Sequence, residues 1–259
     1  MNLKIENLRF SYGKQEILKG VSFDAKEGSL ISVLGPNGVG KSTLFRCMLG
    51  ILNPTGGRVC IGGQDIRTMT AAELSKCVAY IPQSHNPVFN FSVFDLVLMG
   101  TTAQLGHFAL PAREQEKLAD AALERMGISH LRDRGCGHIS GGEGQLVLIA
   151  RAIAQQARIL VMDEPSANLD FGNKIRVMKT VKSLTDEGYT VIQSTHDPDQ
   201  AYLYSDRILA LLDGKVCAWG TPQDTISDSL VSALYGVDAA VCSLWDDRIR
   251  VCVPADIHK

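Results

Sequence analysis

The chain of 259 residues has no run of Lys and Arg and no long acidic tail. Its 26 basic residues stand against 28 acidic ones, for a formal net charge of −2. Such a balance supplies no global basic field, which argues against nucleic acid as a partner. No apolar stretch approaches the roughly 20 residues that a membrane-spanning helix needs. The best runs, around 146–154 and 208–212, are short or broken by Arg151. None of the seven cysteines stands at CxxC spacing, and their number is odd. Reduced, mostly buried thiols in a reducing compartment fit this better than a zinc or redox centre. Residues 1–10 alternate polar and apolar and include Lys4, Glu6 and Arg9, unlike a signal peptide. No Ser- or Pro-rich linker and no internal repeat divides the chain. The expectation is one large cytosolic domain, or one with an inserted lobe, that meets any membrane through a partner.

What is present falls into four regions. Residues 2–33 read as strands, with short apolar or alternating runs at Leu3/Ile5, Val21/Phe23 and Leu30–Leu34 and turns at Tyr12-Gly13 and Glu27-Gly28. A glycine loop and a helix follow from Gly35 to about Leu49, then strands at 58–61 and Val78–Ile81. Residues from about 84 to 157 read as mostly helical. Leu118, Ala122 and Met126 recur at i, i+4, i+8, and Leu146, Ile149, Ala150 and Ile153 at i, i+3, i+4, i+7. From 159 onward apolar strands at Ile159–Met162, 190–194 and Arg207–Leu212 alternate with helical segments. Ile175, Met178, Val181 and Leu184 step by three, as one helix face does. Such alternation implies a parallel sheet flanked by helices, hence an α/β fold. The tail, about 237–259, reads as a short hairpin with its turn at Asp246-Asp247.

The strongest chemical signal is Gly35-Pro36-Asn37-Gly38-Val39-Gly40-Lys41-Ser42-Thr43, which fits G-x-x-x-x-G-K-[ST] between a strand and a helix. Glycines let successive N–H groups turn inward on phosphate oxygens, and the helix start adds partial positive charge there. Lys41 can reach β- and γ-phosphates, and the Ser42 hydroxyl can ligate Mg²⁺. A second signal is the apolar strand Ile159–Met162 ending in Asp163 and Glu164. Alone it could be an acidic turn. After a phosphate loop, Asp163 suits Mg²⁺ and Glu164 suits polarising the attacking water. A third is Ile139-Ser140-Gly141-Gly142-Glu143, which opens the second periodic helix. By itself it is also an ordinary capping box, Ser140 with Glu143 three residues later.

Over nearly its whole length the chain resembles the ATP-binding subunit of ATP-binding-cassette (ABC) transporters. Residues 35–43 look like the Walker A loop, 159–164 like the Walker B strand, and 139–143 like the signature usually written LSGGQ. Gln83 matches the Q-loop glutamine, His196 the switch histidine, and Ser166-Ala167-Asn168-Leu169-Asp170 the D-loop. Tyr12 sits where the family places an aromatic that stacks on adenine. Ile139 and Glu143 replace the usual Leu and Gln, and Gly144 stands where Arg is common, with Leu146 unusual two places later.

The resemblance implies a P-loop NTPase core with a mainly parallel sheet, an N-terminal antiparallel β subdomain and an inserted α-helical subdomain. It implies ATP as substrate and Mg²⁺ bound through Ser42, Gln83 and Asp163. It further implies a head-to-tail dimer with a second copy, in which Ser140, Gly141, Gly142 and Glu143 complete the partner's site and Asp170 couples the two sites. Integral membrane permease subunits and, indirectly, an extracytoplasmic solute-binding protein are the implied partners, at the cytoplasmic face of the membrane. Phe91-Ser92-Val93, Val97–Gly100 with Leu105-Gly106-His107-Phe108 and Pro111, residues 167–173, and Tyr235-Gly236-Val237 resemble importers of iron chelates, haem and cobalamin. A soluble ABC ATPase without a membrane partner, an importer of another solute, and a non-catalytic nucleotide-binding regulator are the alternatives.

Overall fold

The structure is a computed structural model that describes residues 1–83, 91–104 and 112–255. The segment at 105–108 and Pro111, singled out in the sequence, lies outside them. The chain forms two compact units, one of Met1–Thr68 with Thr185–Lys259 and one of Met69–Leu184.

The first unit begins with strands β1 (Leu3–Tyr12) and β2 (Gln15–Ala25), an antiparallel pair turning at Gly13. On β1, Leu3 and Ile5, then Leu8 and Phe10, face inward in the two-residue period of a half-buried strand, with the phase shifted by one residue at the irregularity around Asn7, whose φ is 47°. Strand β3 (Leu30–Leu34) is buried at every position, so both of its faces are covered. It runs into the glycine loop and helix α1 (Lys41–Met48). Strands β4 (Gly56–Ile61) and β5 (Gln64–Asp65) complete an antiparallel sheet of order β2-β1-β4-β5.

The second unit holds α2 (Ala71–Cys77), β6 (Val78–Ile81), α3 (Val93–Leu98), α4 (Arg113–Arg125), α5 (Gly141–Ala154), β7 (Ile159–Met162) and most of α6 (Phe171–Asp186). Strands β6 and β7 pair in parallel with Ile81 opposite Met162. On α5, Leu146, Ile149, Ala150 and Ile153 are all buried, as their spacing predicts. On α4, Ala119, Ala122 and Leu123 are buried, whereas Leu118 is half-buried. Each fully buried large aliphatic chain of this kind stabilises the fold by roughly 1.5–3 kcal/mol.

The chain then returns to the first unit with β8 (Thr190–Thr195), α7 (Pro198–Tyr204), β9 (Arg207–Leu212), β10 (Lys215–Gly220), α8 (Pro222–Thr225) and α9 (Asp228–Tyr235). Strand β3 lies parallel between β8 and β9, and β10 is antiparallel to β9. Trp219 of β10 packs on Phe23 of β2, ring centroids 5.8 Å apart, with the Arg207 guanidinium over its ring at 5.9 Å from the centre.

A core of Leu34, Ala201, Tyr202, Ile208, Ala210, Ile226, Val231 and Leu234 seats α7, α8 and α9. The tail is a hairpin, β11 (Ala239–Leu244) with β12 (Ile249–Pro254). Its turn carries three successive left-handed residues, Trp245, Asp246 and Asp247, and leaves Trp245 72% exposed. Arg250 locks the hairpin down by donating to the Asp247 carboxylate and to the carbonyls of Gln223 and Ile226. Among the described residues no helix is long and apolar enough to cross a membrane.

Candidate nucleotide-binding and hydrolysis residues

In the first unit, residues 35–43 form the turn from β3 into α1. Gly38 and Gly40 have φ of 82° and 111°, a left-handed region that side chains with a Cβ resist. A Cβ on Gly35 would lie 2.6 Å from the Leu211 carbonyl oxygen, so glycine is required there by close approach. Lys41 opens α1, and its side chain folds back into the loop. Its Nζ donates to the carbonyls of Gly35 at 2.6 Å and Pro36 at 3.0 Å, and the residue is only 6% exposed. The ammonium is thus held at the loop's centre by neutral acceptors, and a phosphate brought there meets a full positive charge.

Ser42 is exposed at the start of α1 and Thr43 half-buried beside it. A cavity of about 280 Å³ adjoins the loop, lined by Pro36, Asn37, Gly38 and Val39 together with Ile17 and Asp213 among others. Tyr12, at the end of β1, is 46% exposed and stands edge-on to Phe10, with centroids 4.8 Å apart. The ring is thus held by Phe10 while the residue stays open to solvent, a geometry that suits stacking.

His196 follows β8 and is exposed. Its backbone carbonyl accepts a hydrogen bond from the Tyr235 hydroxyl at 2.7 Å. The next residue, Asp197, caps α7 by accepting from the Gln200 N–H at 3.0 Å, with Pro198 in the first turn. His196 is therefore held by its main chain at both ends of a short link between a buried strand and a capped helix.

In the second unit, β6 and β7 end side by side, and the Asp163 N–H donates to the Ile81 carbonyl at 2.9 Å. Gln83 and Glu164 lie just beyond these ends and meet. The Gln83 Nε2 donates to Glu164 Oε2 at 3.3 Å. Glu164 has φ of 45°, and its carbonyl accepts from the Ala167 N–H at 3.0 Å, which turns the chain sharply after β7. Glu164 and Asp163 are both half-buried.

Ser140 caps α5. Its Oγ accepts from the Glu143 N–H, and the Glu143 carboxylate accepts from the Ser140 N–H and hydroxyl, both at 2.8 Å. The capping-box reading and the signature reading thus describe the same residues. The Ser140 backbone bond, followed by the hydroxyl bond, holds the Glu143 carboxyl below its ordinary value. Gly141 and Gly142 form the first turn. A cavity of about 350 Å³ is lined by Gln83, Cys136, Ser140, Gly141, Gln145 and Leu169 among others.

Asp170 caps α6 in turn. The Asn173 N–H donates to its Oδ1 at 2.9 Å and the Asn173 side-chain amide to its Oδ2 at 2.7 Å, which lowers the Asp170 pKa. Asn173 and Tyr235 were not singled out for any role by the sequence. Each sat within a class-specific motif, and the Asp-x-x-Asn spacing of 170 and 173 was a readable capping signal.

Two departures from the usual pattern have plain surroundings. A Cβ on Gly144 would meet only Ile139, at 3.9 Å, so a side chain fits there. Leu146 is buried within α5 and belongs to its core face. Among the described residues no cluster of His, Cys, Asp and Glu could by itself hold a metal. Ser42, Gln83 and Asp163 instead offer a hydroxyl, an amide carbonyl and a carboxylate. All are hard oxygen donors, which fits Mg²⁺ shared with phosphate oxygens.

Comparison with known proteins agrees with this geometry. The family described as ABC transporter matches residues 18–167. The chain is 33% identical over 265 residues to a hemin import ATP-binding protein of Agrobacterium fabrum, covering 99% of this chain and 100% of that one. It is 30% identical over 248 residues to the ferric enterobactin transport ATP-binding protein of Escherichia coli, covering 95% and 90%. Among solved structures, the ADP conformation of MJ1267, an ATP-binding cassette of an ABC transporter, superposes with a TM-score of 0.82 at 30% identity, over 91% of this chain and 98% of that one. The chain belongs to the ABC transporter family, as an ATP-binding subunit that hydrolyses ATP.

Proposed function

We propose that this chain powers an importer of an iron chelate, haem or cobalamin. It works as a head-to-tail pair with a second copy, docked on integral membrane permease subunits at the cytoplasmic face of the membrane. An extracytoplasmic solute-binding protein delivers the solute. The solute class is supported by the printed functions of the hemin and ferric enterobactin relatives.

Within that reading the residues divide the work. Tyr12 stacks on adenine. The N–H groups of the loop around Asn37, Gly38, Val39 and Gly40 surround the phosphates, and Lys41 compensates their charge. Gly35 and Pro36 shape the mouth of the loop, and Ser42 and Thr43 place hydroxyls at the helix start. Ser42, Gln83 and Asp163 would be the oxygen donors to Mg²⁺, which would supply positive charge to offset that of the phosphates.

Glu164 accepts a proton from the attacking water as its oxygen bonds to the γ-phosphorus. The bond from that phosphorus to the bridging oxygen breaks, and ADP leaves. His196 contacts the γ-phosphate. Ser140, Gly141 and Gly142 of the second copy present a helix start to that phosphate, with Glu143 holding the cap. Asp170 couples the two sites. ATP closes the pair and hydrolysis reopens it.

The observation that supports the hydrolytic reading is the Gln83–Glu164 hydrogen bond, which holds the residue assigned here to Mg²⁺ beside the one assigned to the attacking water. The test is Glu164→Gln in the full chain. Loss of a general base lowers turnover by about 10²–10⁴-fold, and the ATP-bound pair should persist on a sizing column. Near-normal turnover would remove Glu164 from that role. A reconstituted transporter loaded only by an amino acid or a sugar would overturn the solute class.

A further inference from the structure

The glycines of the signature sit against the D-loop. An ideal Cβ on Gly142 would lie 2.5 Å from Cγ and 2.8 Å from Cβ of Asn173. The second distance is to the base of the side chain, so no rotamer of Asn173 relieves it. An ideal Cβ on Gly141 would lie 3.5 Å from Leu169 Cδ2. Both neighbours belong to the segment that carries Asp170. The absence of a side chain at 142 therefore lets the start of α5 press directly on the start of α6, whereas a Cβ at 141 would make an ordinary contact with Leu169.

Asn173 joins these pieces by hydrogen bonds as well as packing. Its main-chain and side-chain N–H groups each take one oxygen of the Asp170 carboxylate, at 2.9 and 2.7 Å. The Asn173 side chain is half-buried between that carboxylate and Gly142. A single amide thus fixes the direction of Asp170 and forms the floor under the Ser140 cap.

We propose that Asn173 is a positioning residue that clasps the D-loop aspartate to the signature helix, so that both meet the second copy as one rigid element. This rests on the head-to-tail pairing proposed above. The isolated phosphate loop does not need the clasp, so ATP binding to a single chain is independent of it. Pairing does need it, because two separate contacts with the second copy then form without a further ordering cost.

The experiment uses the full chain carrying Glu164→Gln and reads two quantities. One is the affinity of dilute, unpaired chain for a fluorescent ATP analogue. The other is the chain concentration at half-maximal ATP-driven pairing, by sedimentation. Asn173→Ala should raise the pairing midpoint by about tenfold, the scale of one hydrogen bond to a charged group, and leave analogue affinity within about twofold.

Asn173→Asp keeps the shape against Gly142 but turns an acceptor toward Asp170. It should lose as much as Asn173→Ala. Asp170→Ala with Asn173→Ala should be no worse than Asp170→Ala alone, since one acts through the other. If Asn173→Asp pairs like the parent, or the two losses add, the clasp is overturned while the pairing stands. If the Glu164→Gln parent binds the analogue but never pairs, the head-to-tail reading has failed and the clasp fails with it.

Discussion

Gly144 stands where the family commonly has Arg, in surroundings that leave room for a side chain. It lies in the second turn of α5, and a Cβ there would touch only Ile139, at the ordinary contact distance of 3.9 Å. Glycine inside a helix costs about 0.5–1 kcal/mol relative to alanine. Gly144→Ala should therefore raise the unfolding free energy by about 0.5–1 kcal/mol, read as a higher urea midpoint at unchanged slope, and an unchanged or lower midpoint would count against the contact geometry.

Glu143, one residue earlier, behaves oppositely. Its carboxylate is held by Ser140, so its folded pKa lies below the ordinary 4.5. The cap's contribution is fully present above that ordinary value and is lost as pH falls through the folded one. Between about pH 5 and about pH 3 the urea midpoint should fall more in the parent than in Glu143→Gln, which has no proton to gain there. Equal slopes would mean that the cap bond is not formed in solution.

At the scale of elements, the link between β8 and α7 is governed from a distance in sequence. Tyr235 ends α9, and its hydroxyl reaches the carbonyl of His196. Tyr235→Phe removes that bond and leaves the ring, at a cost of about 1 kcal/mol in stability. The expected kinetic result is a several-fold lower kcat for ATP with KM within about twofold, and no further loss in a His196→Ala background. Full kcat in Tyr235→Phe would show that the β8–α7 link holds His196 unaided.

Much of this architecture could be read before the structure. Strands β3, β6, β7 and β9 have the bounds expected of them, because short apolar runs leave little else to choose, although only β3 and β7 are buried at every position. The α5 face was readable because Leu146, Ile149, Ala150 and Ile153 repeat with the helix. The tail hairpin turns at Asp246-Asp247 as read. Helix α2 was not read, and the reason is physical: none of its residues is buried, so it carries no apolar period and depends on the Thr70–Glu73 capping box. Strand β10 was missed because its positions are mostly exposed or half-buried, with Lys215 and Trp219 on it. The phosphate loop, the carboxylates that end β7 and the α5 capping box could be read from the residues themselves, and Gln83 only through the family resemblance. Tyr235 and Asn173 could not be given roles, because each acts through a contact that only folding creates.

For the whole molecule, the decisive property in the proposed mechanism is pairing. Each chain carries a phosphate loop in one unit and a signature cap in the other, and in the proposed mechanism the cap serves the second copy. Specific ATPase activity should then rise with chain concentration and level off once pairs dominate, and apparent ATP affinity should tighten over the same range, because a ligand that drives pairing is bound more tightly by the pair. Activity per chain that is flat down to dilute conditions would indicate a site complete within one chain. The near-balanced charge of 26 basic and 28 acidic residues leaves no strong long-range repulsion between copies.

The chain's two tryptophans give it a built-in optical readout. Trp245 stands in water at the hairpin turn, whereas Trp219 is half-buried on Phe23. An aqueous quencher such as iodide will reach the first and spare much of the second. The remaining emission then reports the contact between β10 and β2, so loosening of the tail and loss of the main core give separate signals in a chain that carries no dye.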